Sequence, residues 1–370
     1  MSGTVIFAGG GTGGHIFPGL AIREVIAEID GDVDALFVCS ERAIDESILT
    51  KQRVAWRAIP ARPLSLNPRR LLDLALHHPR ALRTAKGLIE DARREGPTVV
   101  VATGGFVSVP VAGAARGLGV PVLLVNLDAA PGRANQWIAR IAAHKFTSAE
   151  GARVPGEWER LTPIVRAAAR ARGDVEACRE RMGLRPGMRT LFVSGGSQGA
   201  QSIDRMLIRL LERRDGGFDG WQVLHQCGEG AQAELTDAYE HAQVPALVQR
   251  FIEDVGSAWG SADLAVARAG AGSVAEAWAN RVPTLFMPYP HHRDDHQRLN
   301  AEPLVREGSA IVAEDRVEAE ANAARAGAEL LDLLRHSARL EAMTQSATRL
   351  TEPDGAARVA EHAIRVLRGD

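Results

Sequence analysis

Two stretches of the 370-residue chain decide its fold: VIFAGGGTGGHIFPGLAI at Val5–Ile22 and LFVSGGSQGAQSID at Leu191–Asp204. Each opens on an unbroken apolar run, passes through a glycine-rich turn and continues at helical spacing. A continuous run, unlike an alternating one, suits a parallel strand covered on both faces. Outward from the first stretch, strands are expected at Val5–Ala8, Ala35–Cys39, Thr98–Ala102, Val122–Asn126 and around Phe146–Ser148. Helices are expected between them at Pro18–Ile29, Arg80–Arg94, Val109–Gly117 and Arg133–Ala143. Outward from the second, strands are expected at Thr190–Ser194, Gln222–His225, Leu247–Phe251, Leu264–Ala267 and Thr284–Met287, with helices from Ser202, Ala231, Ser273 and Asp295. This alternation predicts an α/β protein of two Rossmann-like, doubly wound parallel-sheet domains facing across a cleft. The boundary falls near Thr162–Arg166, giving domains at 1–164 and 165–349, with an Arg-rich helix Ala167–Arg181 leading into the second.

Composition narrows the function. Lys+Arg 44 against Asp+Glu 46 leaves a net charge of −2, so no global basic field invites nucleic acid. Cys39, Cys178 and Cys227 lie far apart with no C-x-x-C, which argues against a disulfide scaffold or a zinc ribbon and for a reducing compartment. The start MSGTVIFAGG has no basic n-region, and no apolar run reaches the roughly 18 residues of a membrane span. A soluble cytosolic protein is expected. Lysine occurs only at 51, 86 and 145, and the arginine bias reads as a GC-rich genome, not an anion-binding demand.

Four segments carry chemistry. Gly9–Gly14, directly after the first strand, lets backbone N–H groups approach a ligand and precedes a helix N-terminus that favours anions. Its G-x-G-x-x-G spacing, with Glu41 after the second strand, is also compatible with a dinucleotide site or a plain tight turn. His15 can act as base or as hydrogen-bond donor there. Gly195–Ala200 repeats the arrangement, which a single dinucleotide-binding domain does not explain. In Arg268–Glu276, the backbone of Gly270–Val274 suits a diphosphate and Glu276, placed in the first helical turn, suits a ribose diol. Ser273-x-x-Glu276 equally fits a capping box. Finally, Pro288–Asn300 gathers three histidines and two aspartates without zinc-motif spacing, so a sugar-contacting loop with Gln297 and Asn300 one turn apart is preferred over a metal.

Together, GGGTGGHIFPGLAI, TGGFVSVPVAGAARGLGVPV, VSGGSQGAQSID, FIEDV, RAGAGSVAEAWANRVPTLFMPYP and DDHQRLNA, in this order, resemble the MurG family, family 28 glycosyltransferases of GT-B fold. The resemblance runs from Val5 to the C-terminal helix. It implies inverting transfer of GlcNAc from UDP-GlcNAc to the 4-hydroxyl of undecaprenyl-pyrophosphoryl-MurNAc-pentapeptide, the lipid I to lipid II step of peptidoglycan synthesis, without metal or other cofactor. It implies a peripheral protein at the cytoplasmic face of the plasma membrane, with a helix at about 350–370 packing back on the first domain. On the donor side it assigns Glu276 to the ribose, Gly270, Ala271, Gly272, Ser273 and Ser197 to the diphosphate, the Ile252 backbone to uracil, and Gln297 to GlcNAc, with Asn300 beside it. Thr12, Gly13, Gly14, His15 and Arg166 would line the reacting centre, with the first glycine loop and Gly104–Ser108 receiving the acceptor's pyrophosphate.

Three positions depart from the family. Val125-Asn126-Leu127-Asp128 replaces a His-Glu-Gln-Asn run, Leu161–Arg166 replaces Gly-Asn-Pro-Val-Arg, and Phe106 replaces a common Tyr. His15 and Asp128 are the candidate proton acceptors. Other readings are a related GT-B transferase with a different lipid acceptor, a UDP-sugar-binding protein without turnover, and a nicotinamide oxidoreductase built on Gly9–Gly14 and Glu41. The segment Leu64–Leu88 mixes Leu66, Leu71, Leu72, Leu74, Leu76 and Leu82 with Arg69, Arg70, Arg80, Arg83 and Lys86, as an interfacial segment would.

Overall fold

The computed structural model describes residues 3–64, 67–151, 153–196, 199–213, 217–291 and 294–369. The chain forms two compact units, Met1–Arg166 with Pro353–Asp370, and Ala167–Glu352.

Unit 1 runs β1 (Thr4–Gly9), α1 (Gly13–Ile29), β2 (Asp34–Ser40), α2 (Ala43–Lys51), β3 (Ala55–Ile59), α3 (Pro68–Glu95), β4 (Thr98–Gly104), α4 (Ser108–Gly117), β5 (Val122–Asn126), α5 (Arg133–Ile138), β6 (His144–Thr147) and β7 (Glu159–Arg160). Its strands are all parallel, in the order β3-β2-β1-β4-β5-β6-β7. The five expected strands are present. β3, α2 and β7 were not foreseen, and α5 ends at Ile138 instead of reaching Ala143. Val5 pairs with both Ala35 and Val99, so β1 is central and buried throughout, as its unbroken apolar run requires. Phe7 stacks on Phe37 with centroids 4.8 Å apart.

Unit 2 runs α6 (Val175–Arg181), β8 (Arg189–Ser194), α7 (Gln201–Glu212), β9 (Trp221–Gln226), α8 (Gln232–His241), β10 (Ala246–Gln249), α9 (Val255–Gly260), β11 (Leu264–Ala267), α10 (Ala271–Asn280), β12 (Thr284–Phe286), α11 (His296–Glu307), β13 (Ala310–Val312), α12 (Ala319–Ala324), α13 (Ala326–Arg335) and α14 (Ser337–Thr348). The parallel order is β10-β9-β8-β11-β12-β13. The expected helix Ala167–Arg181 is broken: a single 3₁₀ turn spans Ala167–Ala169, Gly173 sits at φ +95°, and α6 starts only at Val175, capped by Asp174.

A last helix, α15 (Gly355–Arg368), returns to unit 1. Thr162 caps it: its hydroxyl accepts from Asp354 N at 2.6 Å and Gly355 N at 3.0 Å, and donates to the Asp354 carboxylate at 2.7 Å. Val359, Ala360, Ala363, Ile364 and Leu367 of α15 share one core with Val5, Phe7 and Ile22. In both sheets the strand order reverses once, between β1 and β4 in unit 1 and between β8 and β11 in unit 2. Loops leaving the carboxyl ends of such a strand pair diverge to opposite faces and open a crevice. Gly9–Thr12 and Arg268–Gly270 are loops of this kind.

Candidate functional site

In unit 1, the helix after the first loop begins at Gly13 and not at Pro18, so His15 lies within its first turn. Thr12 is the N-cap residue, but its side chain makes no capping hydrogen bond. His15 Nδ1 lies 3.2 Å from the Thr103 carbonyl. A carbonyl only accepts, so Nδ1 carries the proton and Nε2 the lone pair. The Thr103 hydroxyl in turn donates to the His15 carbonyl at 2.5 Å. Burial pushes the His15 pKa below its ordinary value, against the opposing pull of the Asp128 carboxylate, the Thr103 carbonyl and the Asp45 carboxylate. The imidazole is therefore neutral at pH 7, with a base-competent Nε2.

The acid that serves the first loop is Asp45, which the sequence reading missed. Fully buried, it accepts from Gly11 N at 2.7 and 3.0 Å, from Ser40 N at 3.0 Å and from the Ser40 hydroxyl at 2.6 Å. Glu41, the residue the spacing rule singled out, pairs with Arg62 at 3.0 Å on the surface. At the end of β5, buried Asn126 donates to the Asp128 carbonyl at 2.8 Å and to Thr147 Oγ1 at 3.2 Å, and its oxygen accepts from Asn135 at 2.9 Å. These bonds fix the Asp128 backbone at the head of the sheet. Arg166, the last residue of the first segment of unit 1, reaches α1, where its guanidinium lies 4.3 Å from the Phe17 ring centre.

In unit 2, α10 starts at Ala271 with Gly270 as N-cap. Ser273 is therefore inside the helix and cannot cap it, and Glu276 falls in the second turn; both expectations are corrected. Gly270 has no side chain with which to cap α10, so the cap position itself leaves the first-turn amides of Ala271, Gly272 and Ser273 to other partners. Glu276 accepts from the Trp259 indole N–H at 3.0 Å. Ile252 is buried midway along the segment between β10 and α9. On α11, the Gln297 side chain accepts from Tyr289 N at 2.9 Å, and buried Asn300 donates to the Ala269 carbonyl at 3.3 Å, tying this helix to the loop ahead of α10. Arg268 braces the same end of the sheet through Asp315 at 2.6 Å, Ser202 at 2.8 Å and the Met287 carbonyl at 2.9 Å, a network no sequence spacing announced. Asn300 thus ties α11, which also carries Gln297, to the loop ahead of Gly270–Glu276 in unit 2, and in unit 1 Arg166 packs on α1, whose first turn holds His15, within reach of the Asp128 charge. Ser197 lies outside the described residues, as do His292 and Arg293. His296 bonds Asp294 at 2.7 Å, and the described residues contain no cluster of three or more His, Cys, Asp or Glu able to hold a metal.

Family models match both units: the glycosyltransferase family 28 N-terminal domain over residues 5–147 and its C-terminal domain over residues 190–359. The chain is 34% identical over 376 residues to the UDP-N-acetylglucosamine–N-acetylmuramyl-(pentapeptide) pyrophosphoryl-undecaprenol N-acetylglucosamine transferase of Chlorobaculum parvum, covering 98% of this chain and 99% of the relative. It is 32% identical over 364 residues to the enzyme of that name from Geobacter sp., covering 95% and 93%. Among solved structures it superposes on Acinetobacter baumannii MurG with a TM-score of 0.73 at 24% identity, covering 98% and 99%. It also superposes on the UDP-GlcNAc 2-epimerase of Neisseria meningitidis bound to UDP-GlcNAc, with a TM-score of 0.63 at 10% identity and full coverage of both chains. A transferase and an epimerase share the architecture, so the fold alone does not choose the reaction.

Proposed function

The chain belongs to glycosyltransferase family 28, and from this premise we propose that it transfers GlcNAc from UDP-GlcNAc to the 4-hydroxyl of undecaprenyl-pyrophosphoryl-MurNAc-pentapeptide. The observation that carries this reading is similarity, over nearly the whole chain, to transferases of that name. The geometry supports it: each unit opens a glycine loop at its topological switch point, whereas an oxidoreductase built on the first loop would leave the loops of unit 2 and Glu276 without a role.

In this reading unit 2 holds the donor. The amides of Ala271, Gly272 and Ser273 at the N-terminus of α10 meet the diphosphate, and Glu276, oriented by Trp259, takes the ribose hydroxyls. Uracil meets the Ile252 backbone, and Gln297 and Asn300 meet the GlcNAc. As UDP departs its negative charge grows, and each preorganised donor aimed at that charge is worth about 3–4 kcal/mol of barrier. Unit 1 holds the acceptor, and neutral His15 Nε2 removes the proton of the attacking hydroxyl as the new glycosidic bond forms. Attack opposite the leaving UDP inverts the anomeric centre. Radiolabel transfer from UDP-GlcNAc to a lipid-linked MurNAc-pentapeptide tests the assignment. Binding of UDP-GlcNAc without transfer would leave a UDP-sugar-binding protein instead.

The acceptor's lipid calls for a membrane surface. No described helix is long and apolar enough to cross a bilayer. On α3, however, Leu71, Leu72, Leu76 and Leu82 are exposed, the middle two to 62% each, beside exposed Arg69, Arg80, Arg83 and Lys86. Leu66 and the Arg70 side chain lie outside the described residues, and Leu74 is half-buried. An apolar stripe flanked by cations suits reversible docking on anionic lipid. The double change Leu72→Gln with Leu76→Gln is expected to cut co-flotation with anionic vesicles at low salt by about tenfold or more. Unchanged flotation of the double variant would remove α3 from the docking surface.

A further inference from the structure

Two arginines bracket the first glycine loop, each held over a phenylalanine ring that abuts a glycine. Arg166 lies over Phe17, and a Cβ built at Gly13 would come within 2.7 Å of that ring. Arg42 lies 5.1 Å from the Phe106 ring centre, and a Cβ at Gly11 would come within 2.5 Å of that ring. Gly11 also has φ +89°, so bare glycine is needed there both for backbone geometry and for the ring's approach. The resemblance gave Arg166 a place at the reacting centre and gave Arg42 none.

The charges around Arg42 are unequally committed. Glu41 is paired with Arg62, and Asp45 is buried under the loop with Gly11 and Ser40 as its partners. Exposed Arg42 donates through Nη1 to the Gly11 carbonyl at 2.8 Å, and among the described residues no carboxylate pairs with it. A guanidinium has five N–H donors, so most remain available after that bond. Asp45 meanwhile fills the place an anion would take on the Gly11 amide and puts a buried negative charge behind it. An anion arriving at this edge therefore requires a cation in front of the loop, and Arg42 supplies one. The Phe106 ring and the Gly11 carbonyl hold the planar fork in place, and a fixed fork matches phosphate oxygens in pairs.

We propose that Arg42, held over Phe106 at the Gly11 edge of the first glycine loop, binds the phosphate groups of the lipid-linked acceptor. The proposal rests on reading the chain as a transferase to a pyrophosphoryl lipid. Its primary test does not need turnover: inorganic pyrophosphate is titrated calorimetrically into the whole protein saturated with UDP, which occupies the donor's phosphate site. Arg42→Gln is expected to weaken pyrophosphate binding at least about tenfold, and Arg42→Lys, which keeps the charge but not the fork, by an intermediate factor. With the lipid-linked acceptor, Arg42→Gln should raise the acceptor KM by a similar factor and leave the KM for UDP-GlcNAc unchanged. Equal pyrophosphate affinity in wild type and Arg42→Gln overturns the proposal. So does a parallel loss of UDP affinity and thermal stability that Arg42→Lys does not restore, since that marks a purely structural clamp. Should the wild type transfer no label to the acceptor, the functional reading fails, and the pyrophosphate titration still decides the role of Arg42.

Discussion

Replacing His15 with alanine is expected to lower kcat by about a hundredfold or more, the ordinary contribution of a positioned general base. The Thr103 carbonyl fixes the tautomer that leaves Nε2 as acceptor, and burial keeps the ring neutral below its ordinary pKa. The sign of the pH effect follows. Protonation removes the base, so wild-type kcat/KM should hold level through neutral pH and fall only on acidification below about 6.5. Asp128 stands where an amide is usual in the family, and its charge opposes the effect of burial on His15. Asp128→Asn should therefore keep most of the turnover at neutral pH and move the acid limb further down. A pH–rate series on both variants decides the matter: a loss on the order of a thousandfold in Asp128→Asn, with His15→Ala near normal, would make Asp128 the base.

Glu276→Ala is expected to weaken UDP binding by about 2–5 kcal/mol through the loss of two charge-assisted hydrogen bonds to the ribose. The structure adds a second cost. Trp259 is fully buried and donates its indole N–H to Glu276, so alanine also strands that donor, at about 1–3 kcal/mol of stability. Glu276→Gln separates the two effects, because its carbonyl oxygen can still accept from Trp259. Calorimetry with UDP, alongside thermal unfolding, should show Gln as stable as wild type and intermediate in affinity. Unchanged UDP affinity in a folded Glu276→Ala variant would remove the residue from the donor site.

What could be read in advance depended on how far each residue's environment is local. The central strands β1, β4, β5, β8 and β11 are buried on both faces, and their unbroken Val, Ile and Leu runs announce them. β3 is an edge strand that alternates exposed Ala55 and Arg57 with half-buried neighbours, and β7 is two residues long; neither produces such a run. The 167–181 segment contains good helix formers, but Gly173 in the left-handed region stops them. At the site, the glycine loops were visible because their backbone demands are local. Asp45 was not, because its role depends on the return of α2 to Gly11, 34 residues away, and the spacing rule pointed to Glu41 instead. The same holds for Trp259 beneath Glu276 and for Asp315 beneath Arg268, which only the folded sheet brings together. Among the family departures, Thr162 keeps a definite task, capping a helix 192 residues downstream.

That cap has a bearing on how the chain is born. The core of unit 1 needs β1 at residues 4–9 and α15 at residues 355–368, and everything in unit 2 is translated between them. Domains commonly complete in the order in which they emerge. Here the order is inverted: unit 2 has all its strands while the first sheet still lacks the helix that supplies Val359, Ile364 and Leu367. For the length of that synthesis the nascent first domain carries an open apolar face beside Val5, Phe7 and Ile22, the kind of surface a ribosome-associated chaperone holds.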